Sequence, residues 1–412
     1  MARLQAPRGT YDVLPEAAAA RLALETVARR ILEGAGYERI ETPVFEATDL
    51  FSRGVGASTD IVQKEMYTFT DAGGRSLTLR PEGTAPICRA YVEHGMQVRS
   101  QPVKLWYLSQ FFRHERAQAG RFRQFWQVGA ETIGSDDPAV DAESIALLMA
   151  ILTELGVGGI ELRLGSLGTP ATRAEYREEL AAYLRAHEDR LSPEVVARID
   201  LNPLRAFDAD HPGTREVMAG APVLMDALTP EDAEHFAEVR ARLDAAQIAY
   251  RLDPTLVRGL DYYARTVFEL TSDLLGAQSA VGGGGRYDGL VEQLGGPHKP
   301  ACGWAAGVER MLLSAEHRPL PREVCDLYVS GTGVPAFALA AEGRRAGLNV
   351  QLELAGRSRK GQRKQAARLG ADVVALVDDD GSIALEDAGS GEQKLVAGAT
   401  AAVAHILKGR HL

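Results

Sequence analysis

The sequence predicts an α/β chain in two parts. The first is an α+β core on an antiparallel sheet, broken by a helical insertion; the second is a small α/β domain with a mostly parallel sheet. Three observations predict it. Two alternating segments between Val103 and Thr132 flank the charged loop RHERAQAGR and read as an antiparallel hairpin. Between Thr169 and Ala249 the pattern turns helical. From Val324, the segments DLYVSG, NVQLEL and DVVALVD alternate with helical stretches, as strands do in a parallel sheet with crossover helices. The expected domains are residues 1–321, with the insertion at about 169–249, and residues 322–412. At roughly 100–200 residues per domain, the chain length allows this division.

The elements follow in order. A helix from about Pro15 to Glu33 ends at Gly34 and Gly36, residues suited to a left-handed helix terminus. YERIETPVFE alternates like a strand, and Pro43 makes it an edge or bulged one. Extended segments follow at Met66–Thr70 and Ser76–Arg80, then the hairpin Val103–Phe112 and Phe122–Thr132. Next come a helix at Ala139–Leu155 and a strand in GIELRLGSLG. In the insertion, TRAE at Thr172–Glu175 reads as a capping box, and TPED at Thr229 places proline at the first helical position. In VRGLDYYARTVFEL, alternation from Leu260 puts Tyr262, Ala264, Thr266, Phe268 and Leu270 on an apolar face. Asp261, Tyr263, Arg265 and Glu269 share the other face with Val267.

Composition narrows the class. The hydrophobic content of 45% and charged content of 25% are those of a soluble protein. The most apolar run, AESIALLMAILTELGV, is broken by Glu143, Ser144 and Glu154, so a buried helix is expected and no membrane partner. MARLQAPRGTYDVLPE has no apolar core of a signal peptide. Cys88, Cys302 and Cys325 are too few and too scattered for a disulfide framework or a zinc site, so a reducing, cytoplasmic setting and no protein-held metal are expected. A net charge of −10 argues against a non-specific nucleic-acid coat. One local exception is GRSRKGQRKQAARLG, with Arg357, Arg359, Lys360, Arg363, Lys364 and Arg368; alone it reads as a solvated helix face.

Chemistry concentrates elsewhere. On the return strand of the hairpin, Arg121, Arg123, Phe125, Gln127, Gly129 and Glu131 fall on one face, and Phe122, Trp126, Val128 and Ala130 on the other. Guanidinium groups for phosphate, a ring for a base and a carboxylate for an ammonium suit a nucleotide beside a zwitterion; cross-strand ion pairs are the structural alternative. Arg113 ends the outgoing strand and can join that face. In TLRPEGTAPICRA, Glu82 and Thr84 follow a strand, with Thr84 expected to cap the next helix. Gly282–Gly285 lacks the spacing of a phosphate loop and suggests close backbone approach to a ligand, or else a hairpin bend. In CGWAAGVERMLL, Arg310 enters the first turn of a helix, where a bound anion would rationalise a cation.

Pro43 in its strand, FRHE with the long hairpin, and GVER opening a helix resemble the three signature motifs of class II aminoacyl-tRNA synthetases. Those three leave the amino acid open. RGLDYY at Arg258–Tyr263 and GGGGRYDGL at Gly282–Leu290 resemble the two histidine-specific motifs of the histidyl-tRNA synthetase family. With the insertion and the C-terminal domain, the likeness covers nearly the whole chain. Cys302, Trp304 and Trp126 depart from the motif patterns without touching an implied catalytic role.

The resemblance implies activation of L-histidine by ATP, carried with Mg2+, and transfer of the aminoacyl group to tRNA(His). It assigns Arg113 and Arg258 to catalysis at the α-phosphate. It gives Glu82, Gly83, Thr84, Gln127, Glu131, Tyr262, Tyr263 and Tyr287 to histidine. Arg113, Glu115, Arg121, Phe125, Arg258 and Arg310 would hold ATP, and Gln118 would meet the tRNA acceptor. It further implies a homodimer and an anticodon-binding C-terminal domain. The alternative is a non-catalytic, histidine-binding regulatory paralogue of ATP phosphoribosyltransferase. Such paralogues typically lack the last domain and have degraded histidine motifs, whereas FRHE, Arg258 and Val324–Leu412 are all present here.

Overall fold

The computed structural model describes residues 3–56, 59–116, 118, 120–256, 259–276, 279–316, 325–378 and 380–409. They form two compact units, Met1–Leu320 and Pro321–Leu412, whose junction lies outside the described residues.

In the first unit eight strands make one sheet. Their order is Glu38–Arg39, Val103–Phe112, Gln124–Ile133, Ala301–Gly307, Ala280–Arg286, Ala264–Ser272, Ile160–Ser166 and Arg251–Leu252. The two-residue edge strands run parallel to their neighbours, and the long strands between them are antiparallel. Alternation along the hairpin sends Trp106, Leu108, Val128 and Ala130 to one face. There they pack with Leu24, Ala28 and Leu32 of helix Pro15–Gly34, and with Ile145, Leu148 and Ile151 of helix Pro138–Glu154. Each such buried leucine or isoleucine contributes about 1.5–3 kcal/mol. Leu105, Tyr107 and Phe111 join a separate cluster with Tyr262, Tyr263 and Tyr287.

The single interrupted strand expected around Pro43 is two strands in two sheets. Glu38–Arg39 pairs with the hairpin, whereas Phe45–Ala47 pairs with Ser76–Leu79, which also pairs with Tyr67–Thr70. Pro43 has no N–H to offer a ladder. Its turn is tied by Arg80, which donates to the Thr42 carbonyl at 2.6 Å and the Gln110 carbonyl at 2.8 Å.

The insertion is helical as expected, with helices Pro170–Arg185, Pro193–Val196, Pro212–Met218 and Pro230–Ala245. The cap expected at Thr172 belongs to Thr169: its hydroxyl accepts from the Thr172 N–H, and Pro170 takes the first helical position. Thr229 does cap its helix, accepting from the Asp232 N–H at 3.2 Å.

The strand read from Leu260 begins at Ala264. Arg265 has φ 48°, and pairing with the glycine strand jumps from Gly285–Val267 to Arg286–Ala264. This bulge shifts the side-chain phase, so the two faces read from Leu260 do not continue through it.

The second unit has a five-stranded sheet in the order Val350–Leu352, Cys325–Ser330, Ala371–Val377, Ile383–Asp387 and Gln393–Val396. The first three are parallel; the last two add antiparallel pairings that the sequence reading did not include. Much of the basic run lies on helix Arg359–Leu369, started by Ser358 and ended by Gly370 at φ 63°. Arg357 pairs with Glu353, Arg359 with Asp378 and Arg363 with Glu386, so part of its charge is neutralised within the unit. Among the described residues no helix is long and apolar enough to cross a membrane.

Candidate active site

A cavity of about 350 Å³ lies where the hairpin, the glycine strand and residues 259–263 meet. Glu82, Gly83, Thr84, Arg113, Glu115, Arg121, Phe125, Gln127, Tyr262, Tyr263 and Arg310 all line it. Glu131 and Tyr287 do not, although they join the same network. Both are fully buried, with the Tyr287 hydroxyl donating to Glu131 Oε2 at 2.5 Å and the Thr84 hydroxyl to Oε1 at 2.8 Å. Gln118 lies in the hairpin loop, its backbone paired reciprocally with Arg121, and it too is off the cavity wall. Arg258 lies outside the described residues; its neighbours Gly259 and Leu260 line the cavity.

Helix Thr84–Glu93 is capped by Glu82 and not by Thr84. The Glu82 carboxylate accepts from the Thr84 and Ala85 N–H groups at 2.8 and 3.1 Å. A carboxylate there satisfies orphan donors and meets the positive end of the helix. Thr84 is thereby released to bond to Glu131.

Charge in the site is ordered. Arg113 donates to the Pro81 carbonyl at 2.9 Å and lies 5.5 Å from the Phe125 ring centre. Glu115 bridges Arg113 at 3.7 Å and Arg121 at 3.1 Å. Arg310 donates to the Gly120 carbonyl at 3.2 Å and to the Ala280 carbonyl. Guanidinium groups thus run away from Glu82 along the hairpin toward the helix that carries Arg310. Burial pushes the Glu82 carboxyl up to about 7 despite the two backbone donors. Burial, reinforced by the charge of Glu82, pushes Glu131 up to about 8. Two desolvated carboxyls favour a cationic ligand group beside them, and the guanidinium row favours a polyanion.

Glu309, next to Arg310 in the chain, also lines the cavity. It accepts from the Trp126 N–H at 3.1 Å, the Tyr11 hydroxyl at 2.6 Å and Arg21 at 2.7 Å. The glycine run serves close packing as well as the cavity. A Cβ on Gly282 would come within 2.6 Å of Ala306 Cβ, and one on Gly284 within 2.7 Å of Trp304 Cα. Gly282 and Gly283 also line the cavity. On the neighbouring strand a Cβ on Gly303 would strike Glu131 Oε2.

Sequence reasoning misplaced four residues and missed others. Arg123 does not line the cavity: its N–H donates to the Gly9 carbonyl at 2.7 Å and its side chain to the Glu115 carbonyl at 3.3 Å. Phe122 lines the cavity and packs its ring on Tyr11 at 4.4 Å. The strand begins at Gln124, so alternation read back beyond it put Phe122 and Arg123 on the wrong sides. Asp261 and Arg265 also lie off this cavity, whereas Tyr262 and Tyr263 both reach it. Glu269, read on the same face as Tyr263, lines it as expected, and Tyr107 lines it unforeseen. Among the described residues, the buried Tyr107 hydroxyl and Gln127 Oε1 have no hydrogen-bond partner. Tyr107 was findable by extending the hairpin's alternation to its outgoing strand.

An antiparallel sheet bearing a long arginine-rich hairpin, with a strand-to-helix junction that presents Arg310, defines a class II aminoacyl-tRNA synthetase catalytic unit. The family model described as histidyl-tRNA synthetase matches residues 9–311. The chain belongs to that family. It is 50% identical over 400 residues to the histidine–tRNA ligase of Desulforudis audaxviator, covering 95% of each chain. To that of Moorella thermoacetica it is 48% identical over 400 residues, 94% of this chain and 95% of the relative. The crystal structure of apo S. aureus histidyl-tRNA synthetase matches with a TM-score of 0.81 at 35% identity, covering 98% of this chain and 100% of that one.

Proposed function

We propose that this chain is a histidine–tRNA ligase. The histidine carboxylate attacks the α-phosphorus of ATP, pyrophosphate leaves, and the terminal ribose hydroxyl of tRNA(His) then takes the histidyl group. The observation that carries this reading is the polarity of the cavity, with carboxyl and amide groups (Glu82, Gln127) leading into the arginine row Arg113, Arg121 and Arg310. Glu82, Thr84 and Gln127 receive the ammonium group. Glu131, Tyr263 and Tyr287 serve the imidazole, with Gly83 and Tyr262 shaping the pocket. Arg113 and Arg258 neutralise the α-phosphate, where negative charge grows in the transition state. Arg310 holds the γ-phosphate, Glu115 and Phe125 hold the adenine, and Arg121 adds a phosphate contact. ATP enters as its Mg2+ complex. Gln118 meets the extra guanosine that precedes the acceptor stem.

ATP–pyrophosphate exchange against all twenty amino acids tests the reading. Exchange with histidine alone is expected; exchange with another amino acid, or with none, refutes it. The regulatory paralogue would bind histidine without exchange.

The wider assignments are residues 1–321 as catalytic domain, 322–412 as anticodon-binding domain, a cytoplasmic location and a homodimer. Val44, Phe45 and Phe69, exposed on and beside the three-stranded sheet, support the dimer; a monomeric mass by light scattering at micromolar concentration would exclude it. Cutting the chain after about Pro321 is expected to preserve histidine-dependent exchange while tRNA charging falls steeply. The proposed adenylation residues all precede the cut. Loss of exchange in a truncated protein that remains folded and dimeric would overturn the division.

A further inference from the structure

Two helices of the insertion begin beside the segment that carries Tyr262 and Tyr263. From the first, Pro170–Arg185, the Arg173 guanidinium donates to the Tyr263 carbonyl. From the second, Pro230–Ala245, Asp232 is fully buried and binds in three directions. Its Oδ2 accepts from the Thr169 N–H at 3.0 Å and the Thr172 hydroxyl at 3.1 Å, and its Oδ1 accepts from Arg265 Nε at 3.0 Å. Arg265 also pairs with Glu231 at 2.5 Å. Its own backbone is held on both sides: N–H to the Gly168 carbonyl at 2.7 Å, and carbonyl to the Leu167 N–H at 2.7 Å.

Arg265 is where the tyrosine strand bulges, at φ 48°. A non-glycine residue in that region costs on the order of 1–3 kcal/mol and persists when its surroundings over-determine it. Here the surroundings are the starts of the two insertion helices. Downstream, the Tyr262 ring is 4.8 Å from that of Tyr263 and 5.7 Å from that of Tyr287, whose hydroxyl bonds to Glu131. Arg173 does not line the site cavity, so it acts on the amino acid through the segment that carries Tyr262 and Tyr263.

We propose that Arg173 is a positioning residue for the amino-acid site: with the Asp232–Arg265 pair as its fulcrum, the insertion sets the backbone on which Tyr262 and Tyr263 stand. The proposal rests on the histidine-site reading above. Because the contact is made to a backbone carbonyl on the amino-acid side of the cavity, its loss acts on histidine binding more than on ATP. Misplacement by about an ångström can cost on the order of 100-fold.

The test is pyrophosphate exchange by the full chain carrying Arg173→Met, Arg173→Lys or Asp232→Asn, with each thermal midpoint measured alongside. For Arg173→Met, the KM for histidine is expected to rise roughly 10- to 100-fold and the KM for ATP by less than about twofold. Arg173→Lys, which keeps a donor, should recover part of the loss; Asp232→Asn, which weakens the grip on Arg265, should show the same split. Equal rises in both KM values, or an unchanged histidine KM with a lowered midpoint, would overturn the proposal. If Arg173→Met does not fold, the split in the other two variants decides. The unmutated control separates the two readings, since absent histidine-dependent exchange there refutes the histidine site itself and not the coupling.

Discussion

Arg258→Ala is expected to lower kcat and kcat/KM together by on the order of 10²–10³, as loss of one preorganised oxyanion donor does. In the proposed reaction the guanidinium meets charge that grows on the α-phosphate after the ground state, so its contribution belongs to the transition state. Histidine binding should change much less, because the ammonium and imidazole partners proposed above are other residues. Arg258→Lys should restore only part of the rate, since lysine keeps the charge and loses the planar fork that spans two phosphate oxygens. Transfer from preformed adenylate should suffer less than adenylation. Rapid-quench measurement of the two steps checks all of this. A mutant with kcat intact and only the histidine KM raised would make Arg258 a substrate clamp.

Glu131→Gln should raise the histidine KM by about 100-fold or more and flatten its pH dependence. The Glu131 carboxyl accepts from both Thr84 and Tyr287; an amide nitrogen cannot accept, so one of these buried hydroxyls would lose its acceptor. The pH dependence follows from the raised carboxyls. Without ligand, Glu131 titrates at about 8 and Glu82 at about 7, against an ordinary 4.5. The folded protein therefore holds protons that the unfolded chain has released. The contribution of these groups to stability falls as pH rises from about 4.5 toward 7–8. An ammonium beside Glu82 and an imidazole N–H on Glu131 both favour the ionised carboxylates, so binding should release protons near neutral pH and tighten from pH 6 to 8 by roughly tenfold or more. Titration calorimetry in buffers of different ionisation enthalpy measures that release. Uptake of protons, or a flat affinity, would contradict the assigned environment of Glu131.

What could be read from residues alone was local. The hairpin from Val103, the helix starting at Pro138 and the Thr229 cap each carry their signal within a few positions, and each forms where alternation or capping chemistry places it. Failures arose where a distant contact overrode the local rule. Thr84 has the chemistry of a cap, but Glu82 takes that role because Glu131, 47 positions away, engages the threonine hydroxyl. Alternation from Leu260 breaks at Arg265, whose backbone bonds to Leu167 and Gly168 and whose side chain is held by Asp232, from a separate helix 33 positions back in the chain. The last two strands of the second unit are short and carry charged residues at Glu386, Asp387 and Lys394, so they lacked the apolar pattern that marked the other three. The candidate site was more legible than its scaffold, since each expected residue that lines the cavity lies in or beside a quoted motif. Tyr107, on the strand preceding FRHE, lines the cavity without having been expected there.

Anyone wishing to redesign this pocket for a bulkier imidazole analogue will find one wall closed to change. Gly282 leaves no room for even a methyl group, and a methyl on Gly83 would come within 2.7 Å of the Tyr107 ring. Saturating those positions would yield misfolded sheets before altered selectivity. The tolerant position is a side chain whose outer atoms meet the cavity and whose backbone is regular, namely Tyr107 on the outgoing strand of the hairpin. Shortening Tyr107 adds volume and also removes a buried hydroxyl that has no partner among the described residues. A library built to charge tRNA with enlarged substrates is best seeded there.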